Sequence, residues 1–204
     1  MNLGVEQAKA WIDQMNELFQ QQKQYLTELD QAIGDGDHGW NMARGFQEAV
    51  DKISSNRYED LGTLLKDVAM TLIAKVGGAS GPLYGTAFLK MSQVLAGKQE
   101  GNEQEWIAAL GEALAGLKAR GKAQVGEKTM IDVWEPVVMF LQEKGQLLAR
   151  EAAQLAQQKM EETKTLEAKK GRAAYLGKRS IGHIDPGSAS SCLLFIAFAK
   201  VVES

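Results

Sequence analysis

"VEQAKAWIDQMNELF", residues 5–19, decides the fold. Val5, Ala8, Trp11 with Ile12, Met15, and Leu18 with Phe19 recur at spacings of three and four, which places them on one face of an α-helix. The same period fills about 38–53, 59–76, 80–96, 103–120, 129–143, 145–167 and 187–202, and "YLTELDQAI", 25–33, also reads as helix. No stretch alternates in the two-residue period of a strand, and the chain has only three prolines. Glycines or polar residues interrupt the pattern at "GDGDHG", "SSNRYED", "GGASGP", "GKQEGN", "GKAQVGEK" and "GRAAYLGKRSIGHIDPGS". The reading is an all-α, up-and-down domain of about eight antiparallel helices with mostly short connections. The Ala/Gln/Glu/Lys-rich segment 145–170 is read as an exposed amphipathic helix through Leu147, Leu148, Ala152, Leu155, Met160 and Leu166.

Composition narrows the class. A chain of 204 residues fits one domain, 1–204, and shows no internal boundary or repeat. With 45% apolar and 24% charged residues it is neither disordered nor fibrous. A net charge of −3 argues against a nucleic-acid surface, which needs a basic stripe. The single cysteine, Cys192, sits in the apolar run "CLLFIAFA", which excludes a disulfide framework and suits a reducing cytoplasm. That run is shorter than the ~20 apolar residues a membrane span takes. The start, "MNLGVEQAKAW", lacks the plan of a signal peptide. A cytoplasmic protein is expected, with neither nucleic acid nor membrane as partner.

The chemistry gathers first in "LDQAIGDGDHGWNMARGF", residues 29–46, where Asp30, Asp35, Asp37 and His38 surround Gly34 and Gly36. Like charges so placed raise one another's pKa unless a cation screens them. "GDGDHG" matches the dinucleotide fingerprint letter for letter, but that fingerprint needs a preceding strand, and "YLTELDQAI" is helical. An EF-hand fails as well, since counting from Asp35 puts Trp40 at the required glycine and Phe46 at the bidentate glutamate. "GKAQVGEKT", 121–129, misses the phosphate-loop pattern by one residue and also follows a helix. What remains is a set of hard oxygen ligands suited to Mg²⁺. The plainer alternative is a solvated turn whose aspartates cap helices, as Asp37 could for the helix starting near His38.

Three other stretches fall at helix starts. "GGASGPLYGT", 77–86, leads through Ser80 into a helix with Pro82 in its first turn, a ready anion site. "GEKTMIDVW", 126–134, offers Thr129 and Asp132 as a capping box. "GKRSIGHIDPGS", 177–188, sets Lys178 and Arg179 near His183, then Asp185-Pro186 as the start of the last helix. Each alone is an ordinary turn. Together with the aspartate loop they make a set of helix ends able to grip a Mg²⁺-nucleotide, because alternate connections of an antiparallel bundle share one end.

In order, and across nearly the whole chain, "AIGDGDHG", "GGASGPLYGT", "GEKTMIDVWEP" and "KGRAAYLGKRSIGHIDPG" resemble the L subunit of dihydroxyacetone kinases. The resemblance implies a barrel of eight antiparallel amphipathic helices with the nucleotide, ADP or ATP, at one end. It implies that Asp30, Asp35 and Asp37 hold two Mg²⁺ ions against the phosphates. His38, Gly39, Trp40 (through its backbone), Asn41, Ala79 and Ser80 match nucleotide contacts. Gly121 and Met130 match the base and ribose pocket, and Arg179 with Asp185, Pro186 and Gly187 the last contacts. The groups expected to serve phosphoryl transfer itself are the three aspartates, Ser80 and Arg179. The implied activity is that of a phosphotransferase subunit in glycerol metabolism. Bound ADP takes a phosphoryl group from a phosphohistidine on an M subunit, fed by the phosphoenolpyruvate-dependent phosphotransferase system. It passes the group to dihydroxyacetone (glycerone) held on a K subunit, giving dihydroxyacetone phosphate. The short chain leaves no room for a ketone-binding domain, which favours this system over fused kinases that exchange ATP. An ATP-exchanging subunit for this or another short ketose, and a nucleotide-loaded module signalling to a transcription regulator, stand as alternatives. Oligomeric state is open, with a homodimer among the options.

Overall fold

The computed structural model describes residues 1–203. Nine α-helices dominate these residues: α1 Val5–Gln21, α2 Lys23–Ile33, α3 His38–Ser54, α4 Leu61–Lys75, α5 Ser80–Val94, α6 Glu103–Gly121, α7 Ile131–Lys144, α8 Ala149–Glu162 and α9 Pro186–Val202. Eight of them form a closed ring. In the order α1, α3, α4, α5, α6, α7, α8, α9, each helix packs on the next and α9 returns to α1. The ring alternates in direction. The starts of α3, α5, α7 and α9 meet at one end, where they border a common cavity. The starts of α1, α4, α6 and α8 meet at the other, tied by the Leu61 N–H to Lys98 carbonyl bond and the Leu147 N–H to Glu103 carboxylate bond.

At that second end β1, Asn2–Gly4, pairs antiparallel with β2, Glu100–Asn102. These three-residue strands are too short to show alternation in sequence. The barrel is filled by the faces that the period predicted. Trp11, Ile12, Met15 and Phe19 of α1 are buried, and the Trp11 ring meets Phe198 edge-on at 5.0 Å and Phe88 at a tilt at 5.5 Å. The last helix is buried nearly all round, as its unbroken apolar run requires. Among the described residues no helix is long and apolar enough to cross a membrane.

Two regions differ from the sequence expectation. The stretch 25–33, read as helical but not counted among the eight, forms a separate helix after a break at Gln22: α2 lies outside the ring and packs on α3 and α9. The segment expected as helix to 167 ends at Glu162, followed by 3-10 turns at Thr163–Thr165 and Arg172–Ser180. Tertiary contacts stop it. The Thr163 hydroxyl donates to the Met160 carbonyl and accepts from the Asp185 N–H, and the Lys128 ammonium donates to the Thr163 carbonyl. Residues 163–185 thereby become an arm whose stretch 170–173 borders the cavity end.

Candidate metal and nucleotide site

Asp30 closes the last turn of α2, and its carboxylate turns back over the loop to α3. Its Oδ2 accepts from the N–H of Asp37 at 2.9 Å and of His38 at 3.1 Å. Asp30 therefore satisfies two of the donors at the start of α3, while Asp37, at the N-cap position, makes no side-chain cap bond. Gly34 permits the approach: a Cβ there would lie 2.0 Å from Asp30 Oδ1. One oxygen each of Asp30, Asp35 and Asp37 lies within 4.8 Å of the others. Burial raises the Asp30 pKa above the ordinary carboxylate value; the two backbone donors offset part of this, and the charges of Asp35 and Asp37 raise it further. A divalent cation among them would reverse that repulsion. The donor set is all oxygen and exposed at Asp35 and Asp37, which fits Mg²⁺.

The aspartates edge a cavity of about 470 Å³ at the shared end of α3, α5, α7 and α9. The starts of four helices border this region with the positive ends of their dipoles, an arrangement that favours an anion. The far wall is apolar, from Ile33, Leu83, Leu117, Ala123 and Ile131. A charged, metal-competent rim beside an apolar recess suits a molecule with a phosphate tail and a flat base.

Of the residues singled out from sequence, Asp30, Asp35, Asp37, His38, Ala79, Ser80, Gly121, Met130, Asp185, Pro186 and Gly187 line this cavity together. Four others lie elsewhere. Gly39 is buried against α2, where a Cβ would meet the Lys23 carbonyl at 2.0 Å. Asn41 is buried and accepts a hydrogen bond from Arg44 at 2.9 Å. Trp40 is 56% exposed, with the Lys23 ammonium 4.0 Å from its ring centre. Arg179 is exposed on the arm and does not line the cavity. Arg172 does, with its Nε 3.0 Å from Asp35 Oδ2. Both arginines belong to one quoted stretch, and no spacing tells which turns inward.

Lys128 was also missed. It sits at φ 61° before α7, is 1% exposed, and donates to the carbonyls of Thr163 and His183, fixing both ends of the arm. The expected capping box forms only in part: the Asp132 carboxylate accepts from the Thr129 N–H at 2.7 Å, but the Thr129 hydroxyl accepts from the Ile131 N–H and the Asp132 N–H goes to the Thr129 carbonyl. Asp185 caps α9 as expected, accepting from the Ser188 N–H at 2.7 Å, with Pro186 opening the helix. Burial pushes its pKa up to about 7. His38 is buried between two hydroxyls, with Ser80 Oγ 3.0 Å from Nδ1 and Ser190 Oγ 2.9 Å from Nε2. Burial lowers its pKa to about 4, so the ring is neutral near pH 7.

Comparison with known proteins agrees with this geometry. Residues 32–200 match the DAK2 domain family. The chain is 50% identical over 205 residues to the PEP-dependent dihydroxyacetone kinase 1, ADP-binding subunit DhaL, of Listeria innocua, covering 100% of both chains. It is 43% identical over 196 residues to the PEP-dependent dihydroxyacetone kinase, ADP-binding subunit DhaL, of Escherichia coli, covering 93% of each. Its fold matches the crystal structure of the dihydroxyacetone kinase of C. freundii in its native form, with a TM-score of 0.76 and 26% identity. That match covers 94% of this chain but 34% of the other. With the helical ring, the acidic loop and the helix-end cavity all in place, the chain belongs to the DAK2 domain family, beside the ADP-binding subunits of dihydroxyacetone kinase.

Proposed function

We propose that this chain, acting as one nucleotide-binding domain in the cytoplasm, is the ADP-binding subunit of a phosphotransferase-system-dependent dihydroxyacetone kinase. The observation that carries the reading is the triad of carboxylates at the rim of a cavity faced by four helix starts. Asp30, Asp35 and Asp37 hold two Mg²⁺ ions. When bound, the metal screens the phosphate oxygens and the nucleotide presents the phosphoryl group to be moved. Phosphoryl transfer depends on positioning and charge neutralisation rather than covalent chemistry, and the residues here supply those two things.

Backbone N–H groups at Ala79 and Ser80, at the start of α5, would donate to phosphate oxygens. Gly121 and Met130 border the recess for base and ribose, together with the apolar wall, and the Asp185-Pro186-Gly187 corner closes it. Arg172 brings positive charge from the arm to the cavity, and Arg179 adds an exposed charge on the same arm. The phosphoryl group comes from a phosphohistidine on an M subunit and goes to dihydroxyacetone on a K subunit. The test is to desalt the purified protein, denature it and identify what is released. Stoichiometric ADP supports a retained cofactor. Protein that releases nothing and shows no Mg²⁺-dependent ADP binding refutes the reading.

A further inference from the structure

A line of polar side chains leaves the cavity at Ser80 and ends in the barrel core at Trp134. Ser80 Oγ lies 3.0 Å from His38 Nδ1, and His38 Nε2 lies 2.9 Å from Ser190 Oγ. Ser190 Oγ is 2.7 Å from the Tyr84 hydroxyl, which is 3.1 Å from Ser191 Oγ. Trp134 Nε1 donates to Ser191 Oγ at 3.1 Å. Tyr84, Trp134, Ser190 and Ser191 are at most 1% exposed. Hydroxyls so deep in an apolar core cost stability unless every one is paired, and among the described residues no buried side-chain polar atom lacks a partner.

The deep end fixes the sense of the line. The indole N–H can only donate, so Ser191 accepts from it and turns its own proton to the Tyr84 oxygen. Tyr84 then donates to Ser190. The Ser190 proton has two acceptors in reach, His38 Nε2 at 2.9 Å and the Gly187 carbonyl at 3.1 Å. If it goes to the carbonyl, the neutral ring carries its proton on Nε2 and donates to Ser190. Nδ1 then accepts the Ser80 proton, and Ser80 offers the cavity only lone pairs. If it goes to Nε2, the ring proton sits on Nδ1 and is donated to Ser80, whose own proton is free to point into the cavity. The two settings hold the same protons: the ring proton changes nitrogen and two hydroxyls rotate. Only the second offers a phosphate oxygen a hydrogen bond.

We propose that Ser190 and Tyr84 are positioning residues that hold His38 as its Nδ1–H tautomer when Mg²⁺-nucleotide is bound, so that Ser80 donates its hydroxyl proton to a phosphoryl oxygen. This rests on the nucleotide reading of the cavity.

The chain has two histidines, so ¹⁵N ring spectra separate His38 from His183. With saturating Mg²⁺ and ADP, His38 is expected to carry its proton on Nδ1 alone. Calorimetry of ADP binding in Mg²⁺ supplies the second readout. Ser80→Ala should weaken binding about tenfold, Ser190→Ala about fivefold, and the double variant about tenfold, because Ser190 acts only through Ser80. Tyr84→Phe, which cuts the line one step deeper, replaces Ser190→Ala if that protein does not fold. A ring protonated on Nε2, or on both nitrogens, overturns the inference. So does a double variant weakened about fiftyfold, the product expected if Ser190 merely packs. If wild-type protein binds ADP and Ser80→Ala binds it equally well, this inference alone is lost. If wild-type protein does not bind ADP in Mg²⁺, the nucleotide reading is lost with it.

Discussion

Replacing Asp37 with Asn should leave the metal-free protein almost unchanged while removing about half or more of what Mg²⁺-ADP adds to its stability. In the metal-free protein Asp37 makes no side-chain cap bond, and among the described residues it has no ion pair. It does face the carboxylates of Asp30 and Asp35 within 4.8 Å. In the dielectric of water each such pair repels by about 0.9 kcal/mol, and physiological salt roughly halves that, so the substitution relieves about 1 kcal/mol. Against this stands the lost attraction of its charge for the start of α3, about 0.3–1 kcal/mol. The terms nearly cancel, and the metal-free Tm should move by no more than about 2 °C.

The bound state responds differently. A ligand at a hundred times its Kd stabilises the folded state by about 2.7 kcal/mol, or roughly 5–10 °C for a chain of this length. Removing one carboxylate ligand should weaken binding at least about tenfold, cutting that gain at the same concentration to about half or less. Thermal melts in chelator and in Mg²⁺ with ADP read both quantities. A full ligand shift in the Asn variant would remove Asp37 from the metal site. A metal-free Tm lowered by more than about 5 °C would instead assign it a structural role.

Three further outcomes follow from the same geometry. Lys128→Met strands the carbonyls of Thr163 and His183 and should cost about 2–4 kcal/mol in urea unfolding; a loss below about 1 kcal/mol would show that the arm is not held by this side chain. Asp185, with its folded pKa raised from 3.8 to about 7, contributes stability that is fully present below pH 3.8 and lost as pH rises through 7. Asp185→Asn, an equally good cap, should therefore gain on wild type between about pH 4 and 7 and hold a constant difference above; a difference independent of pH refutes the burial argument. Incubated alone with Mg²⁺, ATP and dihydroxyacetone, the chain should make no dihydroxyacetone phosphate above background. A K subunit should permit about one turnover per bound nucleotide, with more only from a phosphorylated M-type donor, and sustained product from the isolated chain would sink the subunit reading.

Much of the barrel was readable because its helices are amphipathic in a simple way: α1 and α3 each bury one stripe, and α9 buries nearly everything. The acidic loop was readable because three like charges in eight residues need an explanation. What escaped was set by contacts distant in sequence. No glycine or proline marks the break at Gln22. The end of α8 depends on Lys128, 35 residues upstream of Thr163. The partners of His38 lie 42 and 152 residues away. The cap that Asp37 could have made is absent; instead a carboxylate from the preceding helix, Asp30, accepts from the N–H groups of Asp37 and His38.

The break at Gln22 also explains why an odd helix is present in an even ring. Alternating directions close only with an even number of helices, and eight close here. The end of α1 and the start of α3 lie at the same end of that ring, so a tight turn would have joined them. Instead 11 residues of α2 are inserted, about 16 Å of helix, with the Lys23 carbonyl pressed against Gly39 and the chain returning at Ile33. Its last turn delivers Asp30 over the first N–H groups of α3, beside Asp35 and Asp37. A direct turn could place two carboxylates at the start of α3. The third, which is buried and anchored by two backbone donors, comes from the helix outside the ring.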